Sequence, residues 1–281
     1  MLAWKIMKDA VSGYVEHEAL TRGAAIAFYA VTSLAPVLLV VVAVAGLFLG
    51  QDAVRSSLVD QVSGLVGNEG GDLVKTMLTR AADKDSSIWA SLLGVLTVIV
   101  TASGVFGEMQ TALNRTWHVS SGTSGLPWFS IIRARATSLG LVAALGFLLI
   151  VSLAASAAVS ALGKYLGGQS GLAPVLLSAL NTSVSLLLFT LLFAAIYKVL
   201  PDIPLSWRVV GVGAFVTAVL FTIGKSLIGW YLGTTAAGSG YGAAGALILI
   251  LLWGYYSSQI FLFGAEITRA MSGDAPLQPP R

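Results

Sequence analysis

Residues 243 to 264 read AAGALILILLWGYYSSQIFLFG and set the class of protein. The stretch has no Asp, Glu, Lys or Arg, and as an α-helix rising about 1.5 Å per residue it spans a hydrocarbon core of about 30 Å. Backbone amides find no water there, so a helix is the only economical conformation. Tyr255, Gln259 and the following Glu266 fall on one side of it. A polar stripe must face other protein or a wet cavity, so this helix predicts partner helices.

The composition as a whole predicts an integral membrane protein. Of 281 residues, 56% are hydrophobic and only 10% are charged, whereas a soluble globular chain carries about 25% charged residues. The net charge of +3 comes from dispersed Lys and Arg residues without interleaved aromatics, so no nucleic-acid partner is expected. The chain has no cysteine, which excludes disulfides and thiolate metal sites, and no cofactor is indicated.

Apolar stretches long enough to cross a bilayer predict an all-α, polytopic fold with six transmembrane helices in a membrane domain of residues 24–270. The stretches cover about residues 24–50, 88–110, 136–162, 174–200, 209–232 and 243–266. Pro36 predicts a kink or a break in the first of them. That stretch is too long for a cleaved signal peptide, so we expect it to be retained.

Three further segments lie between or beside the predicted spans. Residues 1–23 indicate an amphipathic helix that lies in the headgroup plane or packs beneath the bundle. Residues 51–87 predict two short helices over the outer face, with charges that form a solvated surface or, alternatively, a divalent-cation site. Residues 271–281 are expected to be a disordered tail. Most Lys and Arg residues fall on the N-terminal side of the membrane, which predicts cytoplasmic termini.

Lys225 is the most informative single residue, because it lies inside the fifth predicted span. Its depth from the outer end of that span is roughly 10 Å. A lysine at such a depth either extends its amine to the headgroups or faces a cavity and meets an anionic group. No Asp or Glu lies at comparable depth in the other spans, and this absence motivates the second hypothesis.

Two carboxylates, Glu108 and Glu266, lie near the cytoplasmic ends of the second and sixth predicted spans. They are expected either to form an ion-pair cluster with Arg22, Arg115 and Arg269 that holds the bundle shut, or to act as a gate or a proton-coupling carboxylate.

Other polar residues give weaker signals. Asn181, in the fourth predicted span, either forms hydrogen bonds that hold neighbouring helices together or is part of a binding site. The only histidines, His17 and His118, have no metal-ligand spacing. Neither a Gly-x-Ser-x-Gly elbow nor a clustered set of carboxylates is present, so an enzyme is not expected.

Several local patterns resemble a known family. They are AAIAFYAVTSLAP at 24–36, LNRTW at 113–117, YKVLPD at 197–202, YGAAGA at 241–246 and WGYYSSQI at 253–260, followed by GAE at 264–266. Together they are similar to the YihY/BrkB family over about residues 10–270. The resemblance implies a six-span protein of the bacterial inner membrane. Names within that family point to virulence or to ribonuclease BN; the residues here offer no nuclease chemistry, so we reject the nuclease label.

The resemblance supplies no catalytic residues, so the candidates for a pathway or gate rest on physical grounds. They are Lys225, Glu108, Asn114, Arg115, Asn181, Tyr255, Tyr256, Gln259 and Glu266. The expected function is that of a transporter or lipid-flippase-like protein for an amphipathic or anionic envelope component, with membrane lipids as partners. The alternative is a non-transporting scaffold that maintains envelope integrity. Small-residue faces permit a homo-oligomer.

Overall fold

The computed structural model describes residues 2–82, 104–119, 173–234 and 242–272, and these ranges contain helices and no strand. The helices are α1 (Leu2–Glu16), α2 (Ala19–Leu49), α3 (Gln51–Val66), α4 (Asn68–Ala82), α5 (104–116), α6 (Ala173–Val199), α7 (Trp207–Thr234) and α8 (Gly242–Ser272). The all-α prediction is confirmed for this part of the chain. The predicted third span (136–162) and most of the second (88–103) lie outside the described residues.

Several of the described helices are long and apolar. In the described ranges, three helical stretches are long and apolar enough to cross a membrane: Ser178–Val199, Trp207–Ile228 and Gly245–Ser272. A shorter apolar stretch covers Ala19–Leu34 in α2. These lengths fit an integral, multi-pass membrane protein. The count of six spans stays a prediction.

The first two helices meet at a sharp corner. α1 ends at Glu16, and α2 begins at Ala19 after Glu18, whose φ of 56° is left-handed. The N-terminal amphipathic segment was expected to continue to residue 23, so the corner comes earlier than the hydropathy pattern suggests. Beyond it, α2 continues through Pro36 as one helix, so the predicted break is wrong, while the alternative of a kink stays a prediction.

Two short helices pack against the far half of α2. Buried Val54 and Leu58 of α3, together with Val74 and Leu78 of α4, form a small core with Leu38 of α2. The predicted cap over residues 51–87 is thus helical from Gln51 to Val66 and from Asn68 to Ala82, while residues 83–87 lie outside the described ranges. We call this the α3–α4 end of the bundle and the opposite one the α1 end.

The main core joins α2, α5, α6, α7 and α8. One close helix contact in it is made by a five-residue pattern, Gly-Ala-x-x-Thr, which occurs at 213–217 in α7 and again at 264–268 in α8. A Cβ on Gly213 would overlap the Thr268 hydroxyl oxygen, and a Cβ on Gly264 would overlap that of Thr217. Each threonine donates to the carbonyl of the glycine four residues earlier in its own helix, at 2.8 and 2.7 Å. Small residues with satisfied hydroxyls allow this approach.

The register of α6 against α7 fixes the depth of the residues they carry. The Tyr197 and Thr217 hydroxyl oxygens lie 3.1 Å apart, and Tyr197 also donates to the Phe261 carbonyl at 2.7 Å. Further along, the ring of Phe189 contacts that of Phe221 at a tilt of 60°, with centroids 4.9 Å apart. Because contacts move back along α6 as they advance along α7, the two helices are antiparallel.

Candidate functional site

The first candidate site lies at mid-bundle around Lys225. Its Nζ is 5.6 Å from the centre of the Phe189 ring, which is within cation–π range. Phe189 lies near the middle of α6, which runs from Ala173 to Val199. The amine therefore lies level with the middle of a membrane-length segment. α7 itself continues past Lys225 to Thr234, so the amine lies deeper than the roughly 10 Å estimated from the sequence.

The third helix at this site is α8. Gly224, the residue before Lys225, is buried, and a Cβ there would lie 2.7 Å from the Tyr256 hydroxyl oxygen. Only a glycine lets that hydroxyl come so close to the α7 backbone. Trp253, one turn earlier in α8, meets Phe221 edge-on with centroids 6.1 Å apart. One ammonium and one phenol thus project from a largely aromatic surface.

Lys225 has no carboxylate partner within the described ranges. The ion pairs found there all lie elsewhere, and four of the five are at the α1 end. An ammonium within an apolar helix is ordinarily paired or in contact with water, so Lys225 stays a candidate for a functional role.

The second candidate site is a hydrogen-bonded hub around Glu266 at the α1 end. Glu266 is 1% exposed. Its Oε1 accepts from His17 Nδ1 at 2.6 Å and from Thr116 Oγ1 at 3.0 Å, while its Oε2 accepts from Arg269 Nε at 2.9 Å. Arg269 Nη2 also donates to the Asp9 carbonyl at 3.2 Å. One buried carboxylate therefore ties α1, α5 and α8 together.

The polar stripe of α8 predicted from the sequence faces the N-terminal helices. Gln259 accepts a hydrogen bond from the Tyr14 hydroxyl and approaches the Leu20 carbonyl at 3.5 Å. Burial, together with the nearby Tyr255, raises the pKa of Tyr14 to about 12. Gly13 and Gly23 leave the room that Glu266 and Gln259 need, since a Cβ at either glycine would overlap those side chains. In the described chain, protein rather than a chamber covers this part of the stripe.

The remaining predicted candidates form pairs around the same end. Arg22 Nη1 lies 3.3 Å from Glu108 Oε1, and Arg115 Nη1 lies 2.9 Å from Glu18 Oε2. The structure thus brings both predicted carboxylates next to basic side chains, as the ion-pair hypothesis requires. Arg115 turns to Glu18 instead of to either of them.

Asn114 holds the connection between α6 and α7. Its amide donates to Asp202 Oδ2 at 2.7 Å and its carbonyl oxygen accepts from the Asp202 backbone at 2.9 Å. Gln110 reaches the same carboxylate at 3.2 Å. Asn181 lies apart from every one of these groups, on an exposed part of α6.

Sequence reasoning missed the two histidines. His17 is buried in the Glu266 hub, and its Nε2 lies 3.5 Å from Nε2 of His118. His118 has a left-handed φ of 54°, which turns the chain just after α5. The two rings are 101 residues apart in the chain, so no local spacing could connect them. In the described ranges, no group of three or more His, Cys, Asp or Glu side chains has the geometry to hold a metal ion.

Comparisons with known proteins agree with this picture of a membrane protein. Over 271 residues the chain is 28% identical to a UPF0761 membrane protein of Neisseria meningitidis serogroup B, covering 96% of this chain and 63% of the relative. It is 26% identical to YfkH of Bacillus subtilis, whose name calls it ribonuclease-like, over 93% of each chain. A UPF0761 membrane protein of Aggregatibacter aphrophilus is 26% identical over 97% of this chain and 94% of its own.

The chain therefore spans under two thirds of the length of the Neisseria relatives and nearly all of the other two. No solved structure matches it. The family model described as virulence factor BrkB matches residues 10–280. The chain belongs to the BrkB family of membrane proteins.

Proposed function

We propose that this protein is a transporter that moves an anionic, amphipathic envelope component across the bacterial inner membrane, with Lys225 meeting the anionic group. The observation that carries the proposal is the position of the Lys225 amine. It lies against Phe189, level with the centre of an apolar stretch of membrane length, and has no carboxylate partner in the described ranges.

The free energy of placing the Lys225 ammonium there favours the binding of an anion. Placing a lysine at the centre of a membrane helix costs about 2.5–3.5 kcal/mol on insertion scales. A cation–π contact of the kind made with Phe189 returns about 0.5–2 kcal/mol. The sum of these two free energies is unfavourable, so a group that brings negative charge to Lys225 would be stabilised there.

The surroundings of Lys225 favour an amphipathic substrate over a small inorganic ion. The half-buried rings of Phe189 and Trp253 form an aromatic surface beside it and are joined through buried Phe221. Such a surface suits an acyl or isoprenoid chain, while Lys225 and the Tyr256 hydroxyl suit a phosphate or carboxylate head. Phospholipid-like molecules combine both parts.

In this proposal the α1 end faces the cytoplasm. Lys5 and Lys8 of α1 are exposed, and Arg115, Lys198 and Arg208 lie at the same end, so the positive-inside rule supports cytoplasmic termini. α1 then covers the cytoplasmic side of the polar stripe, held by the Glu266 hub and by the hydrogen bond from Tyr14 to Gln259. Passage of a headgroup requires α1 to release the stripe.

The test is lipid translocation by the purified protein. The full chain is reconstituted into phosphatidylcholine vesicles with a trace of phosphatidylglycerol carrying a fluorescent label, and dithionite added outside bleaches the label that reaches the outer leaflet. We expect bleaching of inner-leaflet label at a rate well above that of empty vesicles, and faster for phosphatidylglycerol than for labelled phosphatidylethanolamine. Rates equal to those of empty vesicles for both lipids would contradict lipid transport and favour the scaffold.

A further inference from the structure

We propose that His17 and His118 form a two-histidine binding site for a divalent transition-metal ion at the α1 end. Their Nε2 atoms face each other at 3.5 Å. Two imidazole nitrogens bound to one tetrahedral zinc at about 2.0–2.1 Å lie about 3.3–3.4 Å apart, so the observed separation suits a shared ion with little movement.

The contacts of His17 leave its Nε2, the nitrogen that faces His118, able to bind a metal ion. A carboxylate oxygen only accepts, so His17 Nδ1, at 2.6 Å from Glu266 Oε1, carries a proton and donates it. In the neutral ring, Nε2 then holds the lone pair that a metal requires. Carboxylate–histidine pairs of this kind orient the ring of most metal-binding histidines and raise its basicity.

Glu266 itself already accepts three hydrogen bonds. Thr116 Oγ1 donates to the same oxygen as His17, and Arg269 Nε donates to the other. Within the described ranges, clusters of three or more candidate ligands are absent. The protein therefore supplies two nitrogens, and water or an anion completes the coordination.

His118 is positioned by a constrained backbone. Its N–H donates to the Arg115 carbonyl at 3.0 Å, and Val119 N–H donates to the Asn114 carbonyl at 2.8 Å, which closes a turn with φ of 54° at His118. A non-glycine residue held in this region costs of order 1–3 kcal/mol and is common at functional sites. Because His118 is exposed, an ion on its Nε2 remains open to solvent.

A direct hydrogen bond between the rings is a poor alternative use of this geometry. Hydrogen bonds from N–H donors are ordinarily about 2.7–3.2 Å long, shorter than the 3.5 Å found here. The ring planes are 78° apart with centroids at 5.0 Å. Both nitrogens can turn their lone pairs toward one ion between them.

The ligand type selects the ion. Neutral imidazoles suit zinc, copper, nickel and cobalt, whereas magnesium and calcium prefer oxygen ligands. Since Arg269 already balances the charge of Glu266, the bound ion keeps its positive charge and can hold an anion. The ion would also clamp the α1–α2 corner to the end of α5.

The experiment uses the full-length protein without a histidine tag, stripped with EDTA in detergent. Zn²⁺ is titrated by calorimetry, and Co²⁺ by its visible absorption. We expect one ion per chain, undisturbed by excess Mg²⁺. His118→Asn keeps a residue tolerant of the left-handed turn and removes one ligand. It should weaken Zn²⁺ binding by more than the roughly 10–100-fold typical of losing an outer carboxylate partner, which is the effect expected of Glu266→Gln.

Glu18→Gln is the matched control, because it removes an exposed acid beside His17 and leaves both imidazoles in place. Its affinity for Zn²⁺ should equal that of the wild type. His118→Gly, which relieves the left-handed φ, should behave as His118→Asn does if the imidazole is what matters. Absence of Zn²⁺ and Co²⁺ binding by the wild type, or an affinity for Zn²⁺ equal to that of the wild type in both His118 variants, would overturn the proposal.

Discussion

Gly213 of α7 lies directly against Thr268 of α8, with no room for a side chain between them. The same relation in reverse joins Gly264 to Thr217, so two copies of one short pattern interlock. This contact sets the spacing of α7 and α8. It thereby fixes Lys225 and Tyr256 relative to each other and turns Glu266, in the middle of the second copy, toward α1.

The interlock can be tested within one helix. Gly213→Ala should destabilise the protein by about 1–3 kcal/mol, because an added methyl group forces the helices apart. Gly211→Ala is the control, since nothing lies within 4 Å of a Cβ there; it should be neutral or stabilise by up to about 1 kcal/mol through helix propensity. Unfolding in mixed detergent, followed by circular dichroism, measures both. Equal effects at the two positions would show that the close contact is unimportant.

Loss of the buried Glu266 hub should destabilise the protein far more than loss of the exposed Glu18–Arg115 ion pair next to it. Glu266→Ala removes the carboxylate that accepts from buried His17 and from half-buried Arg269, and breaking a buried pair in this way costs about 3–5 kcal/mol. Glu18→Ala removes the partner of Arg115 where both side chains are about half exposed, and should cost less than about 1 kcal/mol. The same unfolding measurement compares them, and a small loss for Glu266→Ala would refute the role of the hub.

The Tyr14 phenol should lose its proton at a higher pH than an exposed tyrosine does. Burial against α8, with Tyr255 nearby, raises its pKa from 10.0 to about 12. Because the docked state holds the proton more tightly, the contribution of Tyr14 to docking is complete below pH 10 and is lost as the pH rises toward 12. The difference in absorbance at 295 nm between the wild type and Tyr14→Phe follows this ionisation directly. A midpoint near pH 10 would show that α1 does not bury the phenol.

Hydropathy alone was enough to predict a helical membrane protein and the ends of α6 and α7. α6, α7 and α8 begin and end within a few residues of the predicted stretches, except that α8 runs on to Ser272. Apolar length is a property of consecutive residues, so it is visible in the sequence. The corner at Glu18 was not visible in the sequence, because a glutamate with a left-handed φ has no local signal comparable to that of glycine or proline.

The candidate sites were predictable only in part. Lys225, Glu266 and Gln259 are conspicuous as polar residues in apolar surroundings. Arg22 was anticipated as one of three cations near Glu108 and Glu266, and its pairing with Glu108 comes from the structure. The His17–His118 pair and the bonds between Asn114 and Asp202 join distant parts of the chain, so they depend on how the helices pack. The repeated Gly-Ala-x-x-Thr pattern was present in the sequence, but its meaning depends on the antiparallel pairing of α7 with α8.

The chain offers a cysteine-free background for measuring access to the mid-bundle site. Lys225→Cys and Tyr256→Cys should react with a membrane-impermeant maleimide if an aqueous pathway reaches them. Ile223→Cys is the control, because this exposed apolar residue lies in the same helix and is expected to face lipid. Its thiol should stay unreactive. Protection of all three positions would favour the scaffold over the transporter.

The most direct test of the transport proposal is the headgroup preference of Lys225 variants in the vesicle assay. Lys225→Ala should slow translocation of labelled phosphatidylglycerol about tenfold or more, since a loss of about 1.4 kcal/mol of stabilisation is a factor of ten in rate. Lys225→Arg, which keeps the charge, should retain most of the activity, and Ile223→Ala should match the wild type. Wild-type translocation of the anionic lipid by Lys225→Ala, at unchanged headgroup preference, would contradict the role assigned to this lysine.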